Sequence, residues 1–319
     1  MSIRVSIVVV EFRTASYLEA CLRALYASSL PREAYEVIVV DNASPTPVGD
    51  LRERFRAARW IHLRRNLGFA GASTVALGRA RGDVIAGVNP DCTVDPGWLA
   101  AILRAFDADP RVGVVGSKIL YPGSDVLQHA GGVLFGNARS EHLGHGERDV
   151  GQHDAVRDVD YVCGAAFAVR RATVDEVGYL SPAYYPAYYE ETELCARARR
   201  AGWRVVYVPE ARAHHAEAAA SDGASSDAYL ARYHEGRMRY ALRNMGWREL
   251  ARRFVPAELA FLSRIGRHER AIVGRSLVRV LRTAWGRGEG FARPGDLLAE
   301  HAPLGAGSRR AARGMERPA

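Results

Sequence analysis

Four short β-branched runs alternate with helical patterns over residues 5–88, and that alternation leaves few folds open. Residues 5–10 (VSIVVV) and 35–40 (YEVIVV) are almost continuously apolar, as strands covered on both faces must be. Residues 60–63 and 83–88 read as a third and a fourth strand. Between them, Leu18, Cys21, Leu22 and Leu25 share one helical face, residues 51–58 read as a second helix, and a third runs over 67–80. Strands and helices in alternation imply βαβ units, hence an α/β fold with a mostly parallel sheet flanked by helices. Downstream, the pattern predicts a helix over 98–106, a strand over 112–120, a strand or strand pair over 162–169, a helix over 192–201 and a strand over 203–208. Residues 121–160 carry little periodicity and read as loops with, at most, a hairpin.

In such a sheet, ligands collect outside the carboxyl ends of the strands. Here those ends carry carboxylates, Asp41 and Asp91, where a dinucleotide enzyme would carry glycines. The first strand is followed by Glu11-Phe-Arg-Thr-Ala-Ser16, not G-x-G-x-x-G, and the chain has neither G-x-x-x-x-G-K-[ST] nor G-x-S-x-G. A divalent cation bridging a carboxylate and a phosphate is one way to hold an anionic ligand there. Cys21, Cys92, Cys163 and Cys195 are scattered without a C-x-x-C, which argues for reduced thiols rather than disulfides or zinc. The start, Met-Ser-Ile-Arg-Val, has no signal-peptide pattern, and no apolar run reaches the roughly 18–20 residues that span a bilayer. The expected location is cytoplasmic.

Several segments, in order, resemble the family 2 glycosyltransferases of the GT-A fold, especially the rhamnosyl- and galactofuranosyltransferase-like branch. YEVIVVDNAS at 35–44 is similar to the family's second strand and nucleotide-binding turn, and NLGFAG at 66–71 to its N-x-G-F loop. Asn89-Pro-Asp91 falls where the family keeps its metal motif, and GAAFAVRR at 164–171 resembles the strand beside the acceptor site. YYPAYYEETELCARARRAGW at 184–203 is similar to its aromatic-rich acidic helix start. The resemblance implies a donor site at Asp41, Asn42, Arg65, Asn66, Gly68 and Asn89, with Arg64 as a further phosphate contact. It implies Mg²⁺ or Mn²⁺ on Asp91 and His215, with His214 as the less favoured neighbour. It implies a general base at Glu191, with Glu190 beside it, and acceptor contacts from Gly164, Ala165, Tyr189 and Glu193. Glu191 and Glu193 stand where the family usually has Asp, and Glu11-Phe-Arg13 where it usually has Asn-Tyr-Asn.

The implied activity is inverting, metal-dependent transfer of a sugar, a deoxyhexose such as rhamnose favoured. The donor is a nucleotide-diphospho-sugar and the acceptor a hydroxyl of a cell-surface polysaccharide or lipid-linked glycan. The alternative is a non-catalytic sugar-nucleotide or glycan-binding homologue, motivated by the Glu-for-Asp changes. Charge divides the chain: residues 231–319 hold 19 arginines against 8 acidic residues, whereas residues 1–230 hold 25 basic against 28 acidic. The expected organisation is a glycosyltransferase domain over 1–220, a helical arginine-rich extension over 221–303 and a disordered tail over 304–319. Without a recognition motif or aromatic platform, the basic block argues against nucleic acid. Amphipathic patterns at 248–265 and 271–285 leave open peripheral contact with the inner face of a membrane, packing on the domain, or a homo-oligomer.

Overall fold

The computed structural model describes residues 3–45, 48–217 and 226–284. The first unit is β1 (Val5–Glu11), α1 (Ala15–Tyr26), β2 (Tyr35–Asp41), α2 (Leu51–Arg54), β3 (Arg59–His62), α3 (Gly68–Leu77) and β4 (Val84–Val88). Then come β5 (Cys92–Val94), α4 (Trp98–Ala108), β6 (Val112–Leu120), β7 (Leu127–His129), β8 (Gly132–Leu134) and β9 (Ser140–His142). β10 (Arg157–Asp158), β11 (Ala166–Arg170), α5 (Arg171–Val177), α6 (Glu190–Arg200) and β12 (Arg204–His215) complete the α/β part. The helices α7 (Asp227–Asn244), α8 (Trp247–Glu249), α9 (Val255–Arg264) and α10 (Arg267–Ala284) follow.

The main sheet runs β10-β12-β6-β11-β4-β1-β2-β3, with β5 paired to β12 and β7 to β6. β4, β1, β2 and β3 are parallel, and β12 is parallel to β6, but β11 lies antiparallel between β4 and β6. The sheet is therefore GT-A-like and mixed, with β11 reversed inside the parallel set and β5, β7 and β10 antiparallel to the strands they join. Strand alternation sorts its side chains onto two cores. Val5, Ile7, Val9, Val37 and Val39 pack on Leu18, Leu22 and Leu25 of α1 and Ile102 and Phe106 of α4. Val8, Val10, Ile38, Val40 and Ile85 face Ala72, Val75 and Ala76 of α3 and Leu194, Cys195 and Ala198 of α6.

Some boundaries differ from the sequence reading. The second helix stops at Arg54 because Phe55 turns in to stack on Tyr26, ring centroids 5.9 Å apart. The strand expected over 203–208 continues to His215 through a register shift between Val208 and Arg212. That extension places both histidines on a strand end and not in a loop. The hairpin in 121–160 is β8–β9.

The C-terminal helices dock through a buried ion pair. Arg237 of α7, fully buried, donates to Glu258 of α9 through two bonds of 2.7 Å, and Glu258 also accepts from Asn137 at 2.9 Å. Bidentate geometry satisfies both charges in a place where either alone would be costly. The expected boundary at 220/221 and the tail over 304–319 lie outside the described residues.

Candidate active site

The carboxyl ends of β1, β2, β4 and β12 open on one edge of the sheet. At the end of β12, Ala213, His214 and His215 pair antiparallel with Val94, Thr93 and Cys92 of β5. This short strand, which follows Asp91 directly, was not legible in the sequence. It brings residues more than a hundred positions apart together: His215 Nε2 lies 3.3 Å from Asp91 Oδ1, both side chains largely buried. His214, one residue earlier, points the other way and meets Asp95 at 3.2 Å, as strand alternation requires. His215 Nδ1 is held by Gln128 Oε1 at 2.7 Å.

One carboxylate oxygen and one imidazole nitrogen facing each other across this gap form a donor pair for a divalent cation, the nitrogen fitting Mn²⁺ better than the harder Mg²⁺. Among the described residues, no group of three or more His, Cys, Asp or Glu side chains closes round a metal. Two protein donors leave the remaining positions of any such cation to groups from outside the described residues.

Asp41 is buried at the end of β2. It caps its own turn, accepting from the Ser44 amide at 3.0 Å, and meets His62 Nδ1 at 2.8 Å. Its carboxylate therefore serves as a turn cap, with lone pairs left for a ligand. Asn42 is 2% exposed, and its amide is committed to the next loop: it donates to Asn66 Oδ1 at 3.0 Å and accepts from the Leu67 amide at 2.9 Å. Asn66 Oδ1 also takes the Gly68 amide at 2.7 Å. These two asparagines fasten the 66–68 loop beside the pocket. Gly68 has φ +71°, and a Cβ there would sit 2.8 Å from the Tyr185 ring and 3.0 Å from the Pro186 carbonyl, so only glycine fits. Arg64 and Arg65 are exposed beside it. The Asn89 amide donates to the Ala165 carbonyl at 2.9 Å, which joins the metal motif to β11's approach.

Glu190 and Glu191 open α6, where the helix dipole favours negative charge. Glu191 lies against Gly164, whose missing side chain leaves room for it: a Cβ there would be 3.4 Å from Glu191 Cδ. Burial pushes the Glu191 carboxyl up to about 7 against hydrogen bonds from its own amide and that of Gly164. Glu190 is 2% exposed, and burial together with the charge of Glu191 raises it well above the ordinary carboxylate range. One Glu190 oxygen has no hydrogen-bond partner among the described residues. Glu191 lies against Gly164 and Asn89 bonds to Ala165, the next residue, so the helix start and the metal motif flank the same short segment.

Two residues expected at the acceptor are engaged with other partners in the structure. Two residues along a helix turn a side chain through about 200°, so Glu193 points away from Glu191. It is buried between helices, accepting from Arg243 Nε of α7 at 2.7 Å. Tyr189 lies inside an apolar cluster with Tyr233 and Tyr240, its hydroxyl donating to the Ala138 carbonyl at 2.7 Å. The sequence reading did not single out Gln128, which holds His215, nor Glu217 and Tyr121 behind it. Glu217 accepts from Tyr121 Oη at 3.0 Å and from Gln128 Nε2 at 3.3 Å. No sequence pattern pointed to Glu217, which lies beyond the end of β12 with φ +41°.

A nucleotide-diphospho-sugar transferase fold with acidic strand ends and an acidic helix start is the class that the geometry defines. The sequence profile described as Glycosyl transferase family 2 matches residues 6–178, and the chain belongs to that family and is a glycosyltransferase. It is 30% identical over 275 residues to an N-acetylglucosaminyl-diphospho-decaprenol L-rhamnosyltransferase of Mycobacterium tuberculosis, covering 76% of this chain and 85% of that one. It is 32% identical over 212 residues to an uncharacterized protein of Sinorhizobium fredii, where the match covers 62% of this chain but only 23% of the relative's length. Among solved structures, GalNAc-T7 with UDP, GalNAc and Mn²⁺ superposes with a TM-score of 0.62 at 14% identity, over 94% of this chain and 58% of that one. The Pyrobaculum calidifontis mannosyltransferase with GDP-Man and Mn²⁺ gives 0.58 at 18% identity, over 95% and 81%. Both superpositions bear on the fold alone.

Proposed function

We propose that this glycosyltransferase is inverting and metal-dependent, and moves a deoxyhexose, rhamnose first, from a nucleotide-diphospho-sugar to a hydroxyl of a lipid-linked glycan or cell-surface polysaccharide. The observation that carries the reading is the meeting of Asp91 with His215 at the carboxyl edge of the sheet. The name of the mycobacterial relative, an N-acetylglucosaminyl-diphospho-decaprenol L-rhamnosyltransferase, supports the sugar and the polyprenyl-linked acceptor. Two structures of the same fold, solved with UDP, GalNAc and Mn²⁺ and with GDP-Man and Mn²⁺, support the cation.

Mg²⁺ or Mn²⁺ bound at Asp91 and His215 supplies Lewis-acid neutralisation of charge on the departing diphosphate. Asp41 accepts from the donor's base or ribose, while Asn42, Asn66 and Gly68 shape the loop beside it. Asn89 anchors the metal motif to Ala165, and Arg64 and Arg65 offer charge to the phosphates. Glu191 accepts the proton of the acceptor hydroxyl as its oxygen forms the new bond to the anomeric carbon. The old bond to the diphosphate oxygen breaks on the opposite face, which inverts the configuration. A raised pKa makes Glu191 a stronger base once ionised, at the cost of a smaller ionised fraction below neutrality.

The domain division at 220 follows from the same reading, with the helices beyond it set against a membrane's inner face. Trp247, Val255 and Leu259 are exposed beside exposed Arg248, Arg252 and Arg253, an arrangement that suits an anionic interface. Among the described residues no helix is long and apolar enough to cross a membrane.

A donor screen tests the proposal. Nucleoside diphosphate release is followed with UDP-, GDP- and dTDP-sugars against polyprenyl-diphospho-N-acetylglucosamine, with and without Mn²⁺. Metal-dependent release from one donor with an inverted product supports it; no release from any donor, or a retained configuration, refutes it.

A further inference from the structure

Gln128 is 2% exposed on β7 and touches His215 twice. Its Oε1 lies 2.7 Å from His215 Nδ1, and its Nε2 lies 3.4 Å from the His215 carbonyl and 3.3 Å from Glu217 Oε2. The orientation of the amide is over-determined by these neighbours. A carbonyl and a carboxylate both accept, so the NH₂ group must face them, which leaves Oε1 to face the ring. An amide oxygen can only accept, so His215 Nδ1 carries a proton, and in the neutral ring this leaves the lone pair on Nε2. Nε2 is the atom aimed at Asp91 Oδ1, 3.3 Å away. That contact is favourable only with something positive between the two atoms, a proton or a metal ion. Glu217 is itself held by Tyr121 Oη at 3.0 Å, so the chain of bonds runs Tyr121, Glu217, Gln128, His215.

We infer that Gln128 is a positioning residue that locks His215 in the Nδ1–H tautomer, leaving Nε2 ready to ligate a divalent cation with Asp91, and that Glu217 holds Gln128 in that orientation. The inference rests on the proposed metal role of Asp91 and His215. Partners of this kind behind a metal-binding histidine typically carry about 10–100-fold in metal affinity. Gln128→Met keeps the length of the side chain and removes both polar atoms.

The test has two readouts on the full chain. ¹⁵N-histidine NMR of the metal-free protein, with the His215 signal assigned by its loss in His215→Asn, reports the tautomer. Mn²⁺ titration followed by electron paramagnetic resonance reports affinity in wild type and Gln128→Met. Expected are a pyridine-type Nε2 on His215 in wild type and a Mn²⁺ Kd weakened about 10–100-fold in Gln128→Met. An Nε2–H tautomer in wild type overturns this inference alone, whether or not the variant folds. An unchanged Kd in a folded Gln128→Met protein does the same. The expected tautomer in a wild-type protein that binds no Mn²⁺ overturns the metal reading and, with it, the purpose assigned to Gln128.

Discussion

Replacing Glu191 by Gln should separate activity from stability, because the folded chain bears a cost for keeping this carboxylate ionised. Burial lifts its pKa from an ordinary 4.5 to about 7. Between those values the folded chain holds a proton that the unfolded chain has released, so wild-type stability falls as pH rises through this window. At about 1.4 kcal/mol per unit, the cost above neutrality is roughly 3 kcal/mol. The Gly164 amide loses a charged acceptor in the variant, which returns about 1 kcal/mol of that. Glu191→Gln should therefore be more stable than wild type by roughly 1–3 kcal/mol at pH 8, with little advantage at pH 4.5. Loss of the base should cut turnover by about 10²–10⁴-fold. Urea unfolding at the two pH values, beside a nucleoside diphosphate release assay, measures both effects. A stability difference that does not grow with pH refutes the account of the buried carboxylate, and undiminished turnover refutes its role as base.

Further outcomes follow from particular contacts. Arg237→Met strands Glu258 in a buried site and should cost about 3–5 kcal/mol in urea unfolding; the double change Arg237→Met with Glu258→Leu should recover most of it. Gly68→Ala meets the Tyr185 ring and a positive φ, so it should lower stability by about 1–3 kcal/mol and weaken donor binding measured by calorimetry. Replacing Trp247, Val255 and Leu259 by Ser should reduce co-sedimentation with anionic vesicles without changing release from a water-soluble acceptor analogue; equal sedimentation would count against membrane contact.

The strands were legible because buried parallel strands are nearly continuous apolar runs, as in β1 and β2, and α1 was legible from the spacing of Leu18, Cys21, Leu22 and Leu25. The reversed strand β11 was not, since small residues such as Ala166 and Ala168 carry no direction. β5 and β7 span three residues each, too short for a period to show, yet β5 brings Asp91 to His215 and β7 brings Gln128 to the same histidine. Motif resemblance singled out Glu191 and His215, but it could not show that Tyr189 and Glu193 are engaged elsewhere, because which face of α6 is free depends on α7, which packs on the other side.

The central claim is that Asp91 and His215 jointly hold a cation beneath the donor diphosphate. Calorimetric titration of wild type, Asp91→Ala, His215→Ala and the double variant with UDP, GDP and dTDP in turn, with and without Mn²⁺, tests it most directly. The account predicts that one nucleotide binds wild type much more tightly with Mn²⁺. Either single change should abolish the gain, with no further loss in the double variant. Metal-dependent binding that persists undiminished in Asp91→Ala would contradict it.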